Sequence, residues 1–330
     1  MGIITACFAP DGTRLLTGSS TGYLEEWASS TGERTRVLLD PEGLEDERPE
    51  VVCIEEGIEV EAPFQLVRLS ERMRGSSITC VRFSPDGEYF LVGAANGVVI
   101  LWNAESRGEL CTWEAHEHRV DALDLAPNAR WIATGSGDDA GATLRVWRTG
   151  VGEQPGDEVT EAFADDSHSG GVSSVAFSPD NRFLAAGGFT GSGYTGPLIY
   201  DLESGERVGS LHWDMTRSLQ YSPDGRLLAT GGDNGSVKLW EVASGTRSFE
   251  ERAHTRPVGT VRFSPDGRWL VSGAWDGGVV VWDVASRRRL REFSHEGIVV
   301  ACRLSPDGLA LEVAEKPEGA DRPRIHRLAL

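Results

Sequence analysis

A four-residue turn occurs seven times along the chain, and it constrains the fold more than any other feature of the sequence. In most copies Ser or Ala is followed by Pro, then Asp or Asn, then Gly; the copies occupy residues 9–12, 84–87, 126–129, 178–181, 222–225, 264–267 and 305–308. Proline fixes φ at about −65°, Asp or Asn hydrogen-bonds the local backbone, and Gly accepts a positive φ. Each copy therefore predicts a tight hairpin corner. The prolines follow one another at intervals of 75, 42, 52, 44, 42 and 41 residues.

The segments around each corner alternate as β-strands do. Val258, Val261 and Phe263 precede the sixth corner, and the Gly-containing segment 270–273 follows it. In six repeats a third segment ends in an aromatic residue: Trp27, Trp102, Trp147, Tyr200, Trp240 and Trp282. A period of two residues is typical of strands, and no segment has a convincing amphipathic helical pattern. Glycine, at 40 of 330 residues, suits many short strands joined by tight turns. The sequence therefore predicts a repeating, all-β chain.

Histidine and tryptophan recur at fixed places in these repeats. A histidine stands 11 residues ahead of the corner proline in five of them: His116, His168, His212, His254 and His295. Trp282 is followed by Asp283 at the end of the third strand of its repeat. In these features the chain resembles the WD40-repeat β-propeller family, whose signature is a His before the first strand and a Trp-Asp closing the third. The resemblance implies one seven-bladed propeller over residues 1–330, with four-stranded antiparallel blades.

The interval of 75 residues leaves an acidic insertion at about residues 36–62, between blades 1 and 2. Residues 40–61 carry ten acidic side chains and a single base, Arg48. The chain ends after the third strand of blade 7, which leaves that blade one strand short of the family's usual four. We expect one of three arrangements: residues 36–39 or 51–61 pair with the open edge of blade 7, the insertion is a solvated loop beside a three-stranded blade, or a partner strand or second copy adds there.

The resemblance also implies a buried hydrogen-bond network inside the blades. In the family, such side chains tie the turn between the second and third strands to the loop that enters the first strand. The residues at these places are His254, Ser272, Asp276 and Trp282 in blade 6, His212, Thr230, Asn234 and Trp240 in blade 5, and His116, Thr134 and Trp147 in blade 3. A Ser, a His and an Asp also suggest a hydrolytic triad. The spacing repeats from blade to blade, however, and an enzyme needs only one triad, so the residues are interpreted as structural.

The loops entering the first strands and the turns between second and third strands share one face, here called the upper face. The sequence places aromatic, Met and Arg side chains on this face, namely Phe189, Tyr194, Trp213, Met215 and Trp275 with Arg217, Arg256 and Arg119. Aromatic residues and Arg are enriched in interface hot spots. We expect this face to bind a protein or peptide, and an acidic or phosphorylated group would suit the arginines. Trp213 and Met215 alternatively pack between blades.

Charge and composition exclude several functions. The net charge of −19 argues against nucleic acid and acidic membranes, which are bound by clustered Lys and Arg. The sequence has no apolar run long enough for a membrane span and no targeting pattern at its N-terminus, which predicts a cytoplasmic location. Five scattered cysteines predict neither a disulfide framework nor a zinc site, and no residue pattern indicates a metal, a cofactor or a catalytic centre. Oligomeric state is left open, with a monomer as the default.

Three functions remain for such a chain. The first is a non-enzymatic scaffold that binds a protein or peptide on the upper face, as the resemblance implies. The second is a sensory or substrate-docking module that works with a separately encoded enzyme. The third is an enzyme with a site in the central channel. The inner strands offer mainly Asp121, Asp124, Arg82, Arg262 and Arg303, which are interpreted as paired, solvated channel lining. The first function is the preferred prediction.

Overall fold

The fold is known from a computed structural model of the chain, which describes residues 3–41, 75–137, 142–150, 159–168, 170–188, 195–212, 215–305, 308–317 and 323–330. These residues form β-strands, turns and loops. None of them lies in a helix, so the described part of the chain has no helix that could cross a bilayer.

Seven antiparallel sheets follow one another along the chain, each built from consecutive strands. Blades 1 and 2 contain β1 (Ile3–Phe8), β2 (Arg14–Ser19), β3 (Leu24–Ala28), β4 (Arg34–Leu39), β5 (Ile78–Phe83), β6 (Tyr89–Ala94), β7 (Val98–Asn103) and β8 (Glu109–Glu114). Blades 3 and 4 contain β9 (Val120–Leu125), β10 (Trp131–Ser136), β11 (Ala142–Arg148), β12 (Thr160–His168), β13 (Val172–Phe177), β14 (Phe183–Gly188), β15 (Thr195–Asp201) and β16 (Arg207–His212). Blades 5 to 7 contain β17 (Thr216–Tyr221), β18 (Leu227–Gly232), β19 (Ser236–Glu241), β20 (Thr246–Arg252), β21 (Val258–Phe263), β22 (Trp269–Ala274), β23 (Gly278–Asp283), β24 (Arg288–Ser294), β25 (Ile298–Leu304), β26 (Ala310–Lys316) and β27 (Arg324–Ala329).

The sheets close into a ring around a central channel. The first strand of each blade contacts the first strand of the next, and β25 of blade 7 contacts β1 of blade 1. This is the predicted seven-bladed propeller. Within the described residues the ring closes by side-chain packing, because each sheet contains only its own consecutive strands. Phe8, Leu15 and Trp27 of blade 1 pack with Ala301 and Ala314 of blade 7.

One expectation about the insertion is wrong. Residues 36–39 belong to β4, whose Arg36 and Val37 pair with Glu26 and Glu25 of β3 in blade 1. They therefore form the outer strand of blade 1 and do not complete blade 7. Blade 7 has three strands in the part of the chain that the structure describes. The other candidate, residues 51–61, lies outside that part, as does most of the predicted insertion.

The core lies between neighbouring blades, where the apolar face of one sheet packs on the next. Leu16 and Leu24 of blade 1, for example, share a cluster with Ile78, Phe90 and Trp102 of blade 2. The second strands of blades 1 to 6 carry a glycine near their upper end, where neighbouring blades approach closely. A Cβ on Gly273 would lie 2.6 Å from Val299 Cγ1 of the next blade, inside normal contact distance.

The corners that lie entirely within the described residues fold as the sequence predicts. At the fifth corner the Ser222 hydroxyl donates to Asp224 Oδ1 at 2.6 Å and accepts the backbone N–H of Leu227 at 2.9 Å. The hydrogen bond from Ser222 holds the pKa of Asp224 below its usual value, with the Arg226 backbone N–H adding to it. Gly225 has φ +72°, which a glycine adopts without strain. These corners fix the lower face, opposite the upper one.

Candidate binding face

The predicted network of blade 6 is fully formed. His254 Nε2 and Ser272 Oγ are 2.9 Å apart, and Trp282 Nε1 donates to the same hydroxyl at 3.2 Å. Asp276 Oδ1 lies 3.4 Å from His254 Nδ1, and its Oδ2 accepts the backbone N–H of Thr255 at 2.7 Å. The carboxylate therefore joins the turn between β22 and β23 to the loop entering β21.

This network is closed to a substrate. Ser272 is completely buried, and its hydroxyl already contacts both a histidine and an indole. Burial lowers the pKa of His254, and Asp276 offsets only part of that effect, so the imidazole is neutral near pH 7. Burial also opposes ionisation of Asp276, yet backbone N–H groups of Thr255 and Gly278 keep its pKa below the usual value. The arrangement braces the blade and offers no reachable nucleophile.

The other blades contain parts of the same network. Thr134 Oγ1 lies 2.8 Å from His116 Nε2 and accepts from Trp147 Nε1 at 3.0 Å. Two further threonines accept a tryptophan N–H in this way: Thr230 from Trp240 at 3.1 Å and Thr17 from Trp27 at 2.8 Å. Asn234 Oδ1 accepts the Ser236 N–H at 2.9 Å, whereas the side chain of His212 lies outside the described part.

Blades 2 and 4 lack the shared hydroxyl. In blade 2, Val92 stands at that place, and Trp102 Nε1 is buried without a hydrogen-bond partner. In blade 4, Ala186 stands there, and His168 Nε2 lies 3.3 Å from the backbone oxygen of Ala186 instead. Both blades therefore lack the hydroxyl that joins the histidine and the tryptophan in blades 3 and 6.

At the upper end of the channel, Trp275 and Arg217 meet across two blades. The Arg217 guanidinium carbon lies 5.1 Å from the centroid of the half-buried Trp275 ring, and Arg217 Nε donates to Asp233 Oδ1 at 2.7 Å. Gly259 makes room for the indole, since a Cβ there would lie 2.9 Å from Trp275 Nε1. Asp233 holds the guanidinium against the ring, which is a cation–π arrangement.

A second arginine lies at the same end of the channel. Arg119 Nε is 2.6 Å from Asp121 Oδ1. Burial raises the pKa of Asp121, and the positive charges of Arg119 and Arg217 partly oppose the rise. We call Arg119, Asp121, Arg217, Asp233 and Trp275 the channel mouth. Charge in this group is balanced, with each arginine held by a carboxylate.

The remaining predicted surface residues are distributed around this group. Arg256 is exposed in the loop entering β21, and Met215, 40% exposed, precedes β17. Phe189, Tyr194 and Trp213 lie outside the described residues. No site role is predicted from the sequence for Asp233 or Gly259, and Asp121 is predicted as channel lining. Asp121 stands two residues after Arg119, whereas Asp233 lies 16 residues after Arg217, and no local pattern marks those two as partners.

Further down the channel, the charged side chains are mostly paired with each other. Arg82 Nε lies 3.2 Å from Asp124 Oδ1, whose Oδ2 accepts the Phe177 N–H at 2.9 Å. Burial raises the pKa of Asp124 despite Arg82. Burial and the nearby Arg82 lower the pKa of Arg262 to about 10, and Arg262 Nη1 donates to its neighbouring carbonyl at Val261. Arg82 and Asp124 are therefore paired, whereas Arg262 bonds a backbone carbonyl and is affected by burial, unlike the predicted paired, solvated lining.

A polar cleft of about 590 Å³ lies away from the channel mouth, between blades 1 and 2 on the lower face. Two arginines in its lining, Arg14 and Arg107, both reach Glu26, with nitrogen–oxygen distances of 3.6 and 3.0 Å. Their charges are therefore used to join the two blades. Two arginine side chains already engaged by one buried carboxylate make this cleft a weaker candidate for ligand binding than the channel mouth.

Family comparison agrees with the repeat and the ring. The model described as WD domain, G-beta repeat matches residues 68–103, 107–148, 162–192, 206–241 and 245–283, which together make up more than half of the chain. The chain belongs to the WD40 family. Blade 1, whose strands end at Leu39, and blade 7, which starts with β25, lie outside these matches, so the recognised WD40 repeats correspond to blades 2 to 6.

Curated relatives share this family and differ in their named roles. Protein HIR1 of Yarrowia lipolytica is 25% identical over 201 residues, which are 56% of this chain and 17% of that protein. Eukaryotic translation initiation factor 3 subunit I of Aspergillus fumigatus is 28% identical over 136 residues, 40% of this chain and 36% of that protein. Autophagy-related protein 18 of Meyerozyma guilliermondii is 32% identical over 116 residues, 35% of this chain and 18% of that protein. This WD40 chain thus spans 36% or less of each of these relatives.

Proposed function

We propose that the protein is a non-enzymatic scaffold that binds a protein or peptide partner on its upper face. The observation that carries the proposal is the Trp275 ring at the channel mouth, half-buried and packed on the Arg217 guanidinium at 5.1 Å. WD40 propellers are generally protein-interaction modules, which supports the same function.

The chemistry of this face favours a partner segment that combines an apolar and an acidic group. The indole offers apolar area in a defined orientation, because the ring packs on Arg217 and occupies the space left by the missing side chain of Gly259. Arg256 is exposed nearby and would bind the carboxylate or phosphate of an acidic or phosphorylated peptide. Arg217 and Arg119 would contribute less charge to such a partner, since Asp233 and Asp121 already neutralise them.

The absence of enzymatic activity is part of the proposal. The Ser272 hydroxyl is buried and hydrogen-bonded, and the Arg82–Asp124 pair takes up charge in the channel, which supports a structural role for both groups. We also propose a cytoplasmic location and a monomeric state, which the acidic composition and the propeller fold support.

The test compares two matched double variants by affinity capture from lysate of the native host, with the captured proteins identified by mass spectrometry. Trp275→Ala with Arg256→Ala removes the proposed contacts. Trp269→Ala with Arg268→Ala is the control, because Arg268 also packs over an indole, at 5.5 Å, but on the lower face. Circular dichroism shows first that both variants are folded.

We expect specific proteins to be captured by the wild type and the control and to be lost with the upper-face variant. Synthetic peptides from those proteins, with and without phosphate, would then give the chemistry of the bound segment. Capture of the same proteins by the upper-face variant would show that the binding site lies elsewhere on the protein. No specific capture by the wild type would contradict the scaffold function.

A further inference from the structure

Three side chains with metal-binding groups meet at the upper end of blade 7. His295 lies in the loop entering β25, Glu315 near the end of β26, and His326 on β27, two residues beyond Arg324. One nitrogen of each histidine and one carboxylate oxygen of Glu315 all lie within 4.8 Å of one another. The three residues have no metal-ligand spacing in the sequence, so the fold alone brings them together.

The distances are close to those of a coordination shell. His326 Nε2 lies 3.3 Å from Glu315 Oε1, and His295 Nδ1 lies 3.8 Å from Glu315 Oε2. A tetrahedral zinc ion with bonds of about 2.0–2.2 Å holds its ligand atoms about 3.3–3.6 Å apart. One pair already has this separation. The other distance, 3.8 Å, is longer and runs to the second oxygen of the same carboxylate, so His295 has to move closer for all three side chains to bind one ion.

The burial of these side chains is a second feature that indicates a metal site. The Glu315 side chain is 2% exposed and that of His295 is 7% exposed. The Nε2 atoms of both histidines are buried without a hydrogen-bond partner. Glu315 receives a backbone hydrogen bond from Gly297 at 3.3 Å, and the positive charge beside it belongs to Arg324, whose side chain is 56% exposed. A carboxylate this deeply buried is costly without a firmly held positive charge. A cation between the three side chains would bind one nitrogen of each histidine and neutralise the carboxylate.

We propose that His295, Glu315 and His326 form a binding site for a divalent transition-metal ion, with zinc as the best match. Two imidazole nitrogens and one carboxylate oxygen are a donor set that zinc accepts, whereas calcium and magnesium prefer oxygen ligands alone. Three protein ligands leave a fourth position for water, which reaches the site beside the half-exposed His326 ring. The ion would fasten β27, the outer strand of blade 7, to β26 and to the loop entering β25.

The guanidinium of Arg324 competes with a metal ion for Glu315. Its Nη1 lies 3.6 Å from Glu315 Oε1 and 3.2 Å from Glu296 Oε2. The Arg324 side chain is 56% exposed and can turn fully toward Glu296 when a metal ion binds. The guanidinium therefore weakens metal binding by electrostatic repulsion without blocking the site. Replacing Arg324 with glutamine should strengthen metal binding.

The test uses the full chain without an affinity tag, stripped of metal with a chelator and then dialysed. Zinc chloride is titrated in by calorimetry, and cobalt(II) is added separately because its visible absorption reports the coordination geometry. The variants are Glu315→Gln, His326→Ala and Arg324→Gln. His118→Ala is the control, since His118 is an exposed histidine of blade 3 outside the cluster.

We expect the wild type and His118→Ala to bind one zinc ion per chain with the same affinity. His326→Ala and Glu315→Gln should each bind at least about tenfold more weakly, since even an outer-shell change costs that much. Arg324→Gln should bind more tightly, and the cobalt spectrum should be that of a low-coordinate site. His326 is half-exposed on an outer strand, so this variant is expected to fold even if Glu315→Gln does not.

Two results would overturn the proposal. One is the absence of saturable zinc binding to the wild type, which would make the cluster an ordinary hydrogen-bonded group. The other is equal zinc affinity for the wild type and His326→Ala, which would place the bound metal elsewhere.

Discussion

Arg303 of blade 7 donates a hydrogen bond from Nη1 to the carbonyl oxygen of Pro10 in blade 1, at 2.9 Å, and also contacts the carbonyl of Ala9. The same side chain forms an ion pair with the buried Glu312, at 2.7 Å from Nε. One arginine thus joins the two ends of the described ring, in a propeller whose sheets exchange no strand within the described residues.

The first prediction concerns this contact. Arg303→Ala should lower the free energy of unfolding by about 3 kcal/mol, because it leaves Glu312, only 4% exposed, as a buried charge without its partner. Urea denaturation followed by tryptophan fluorescence measures the change. Arg226→Ala is the control, since Arg226 is 84% exposed and its nearest carboxylate oxygen is 3.9 Å away. Equal stability of the two variants would show that Arg303 does not hold the ring closed.

The second prediction compares blade 3, which has the shared hydroxyl on Thr134, with blade 2, which has Val92 in that place. Thr134→Val should cost about 2 kcal/mol, because His116 and Trp147 both lose a buried partner. Val92→Thr is the reverse change and places a hydroxyl where Trp102 Nε1 has none. It should raise the stability by up to about 1 kcal/mol, whereas Thr134→Val lowers it. Thermal unfolding of both variants tests this, and a similar loss in both would mean that the hydroxyl has no specific role.

The third prediction is a pH dependence of stability. Burial lowers the pKa of His254 in the folded protein. In the unfolded chain the imidazole has its ordinary pKa of about 6.5, so the unfolded chain binds the proton at a higher pH than the folded protein does. The stability from the neutral imidazole is fully present above that pH and is lost as the pH falls toward the folded-state pKa. His254→Gln should therefore reduce the fall in urea midpoint between about pH 7.5 and about pH 5.5.

His118→Gln, which changes an exposed histidine, is the control for this measurement. It should keep the wild-type pH dependence. A His254→Gln variant with an unchanged slope would show that His254 keeps an ordinary pKa in the folded protein.

The fourth prediction separates the orientation of Trp275 from its presence. Gly259→Ala places a methyl group against Trp275 Nε1 and pushes the indole off its position over Arg217. The stability should change by less than about 1 kcal/mol, because the displaced atom belongs to a half-buried side chain at the channel mouth. Affinity for the partner captured by the wild type should fall several-fold in a calorimetric titration. Unchanged affinity would mean that the partner does not use this ring orientation.

The propeller could be predicted because its information is local and repeated. A Ser-Pro-Asp-Gly corner forms from contacts within six residues, as Ser222, Asp224 and Leu227 show, and seven copies at a near-constant period leave few alternative folds. The hydrogen-bond partners inside blade 6, His254, Ser272 and Trp282, were implied by the resemblance to the WD40 family, and their recurring spacing supports that interpretation.

Contacts between distant segments were not predictable in this way. The closure through Arg303 and Pro10 joins residues 293 positions apart, and nothing in the local sequence marks them as neighbours. The assignment of residues 36–39 to blade 7 failed because any strand-forming segment fits an open edge, and only the complete ring shows that β4 pairs with β3.

The sequence by itself determined the strand pattern, the corners and the number of blades. These depend on hydrogen bonds between residues close in sequence. Only the tertiary structure decided that Trp275 of blade 6 packs on Arg217 of blade 5, and that His295, Glu315 and His326 of blade 7 meet. Such groups depend on how blades pack and how strands are aligned, which is set by the close-packing of the whole core.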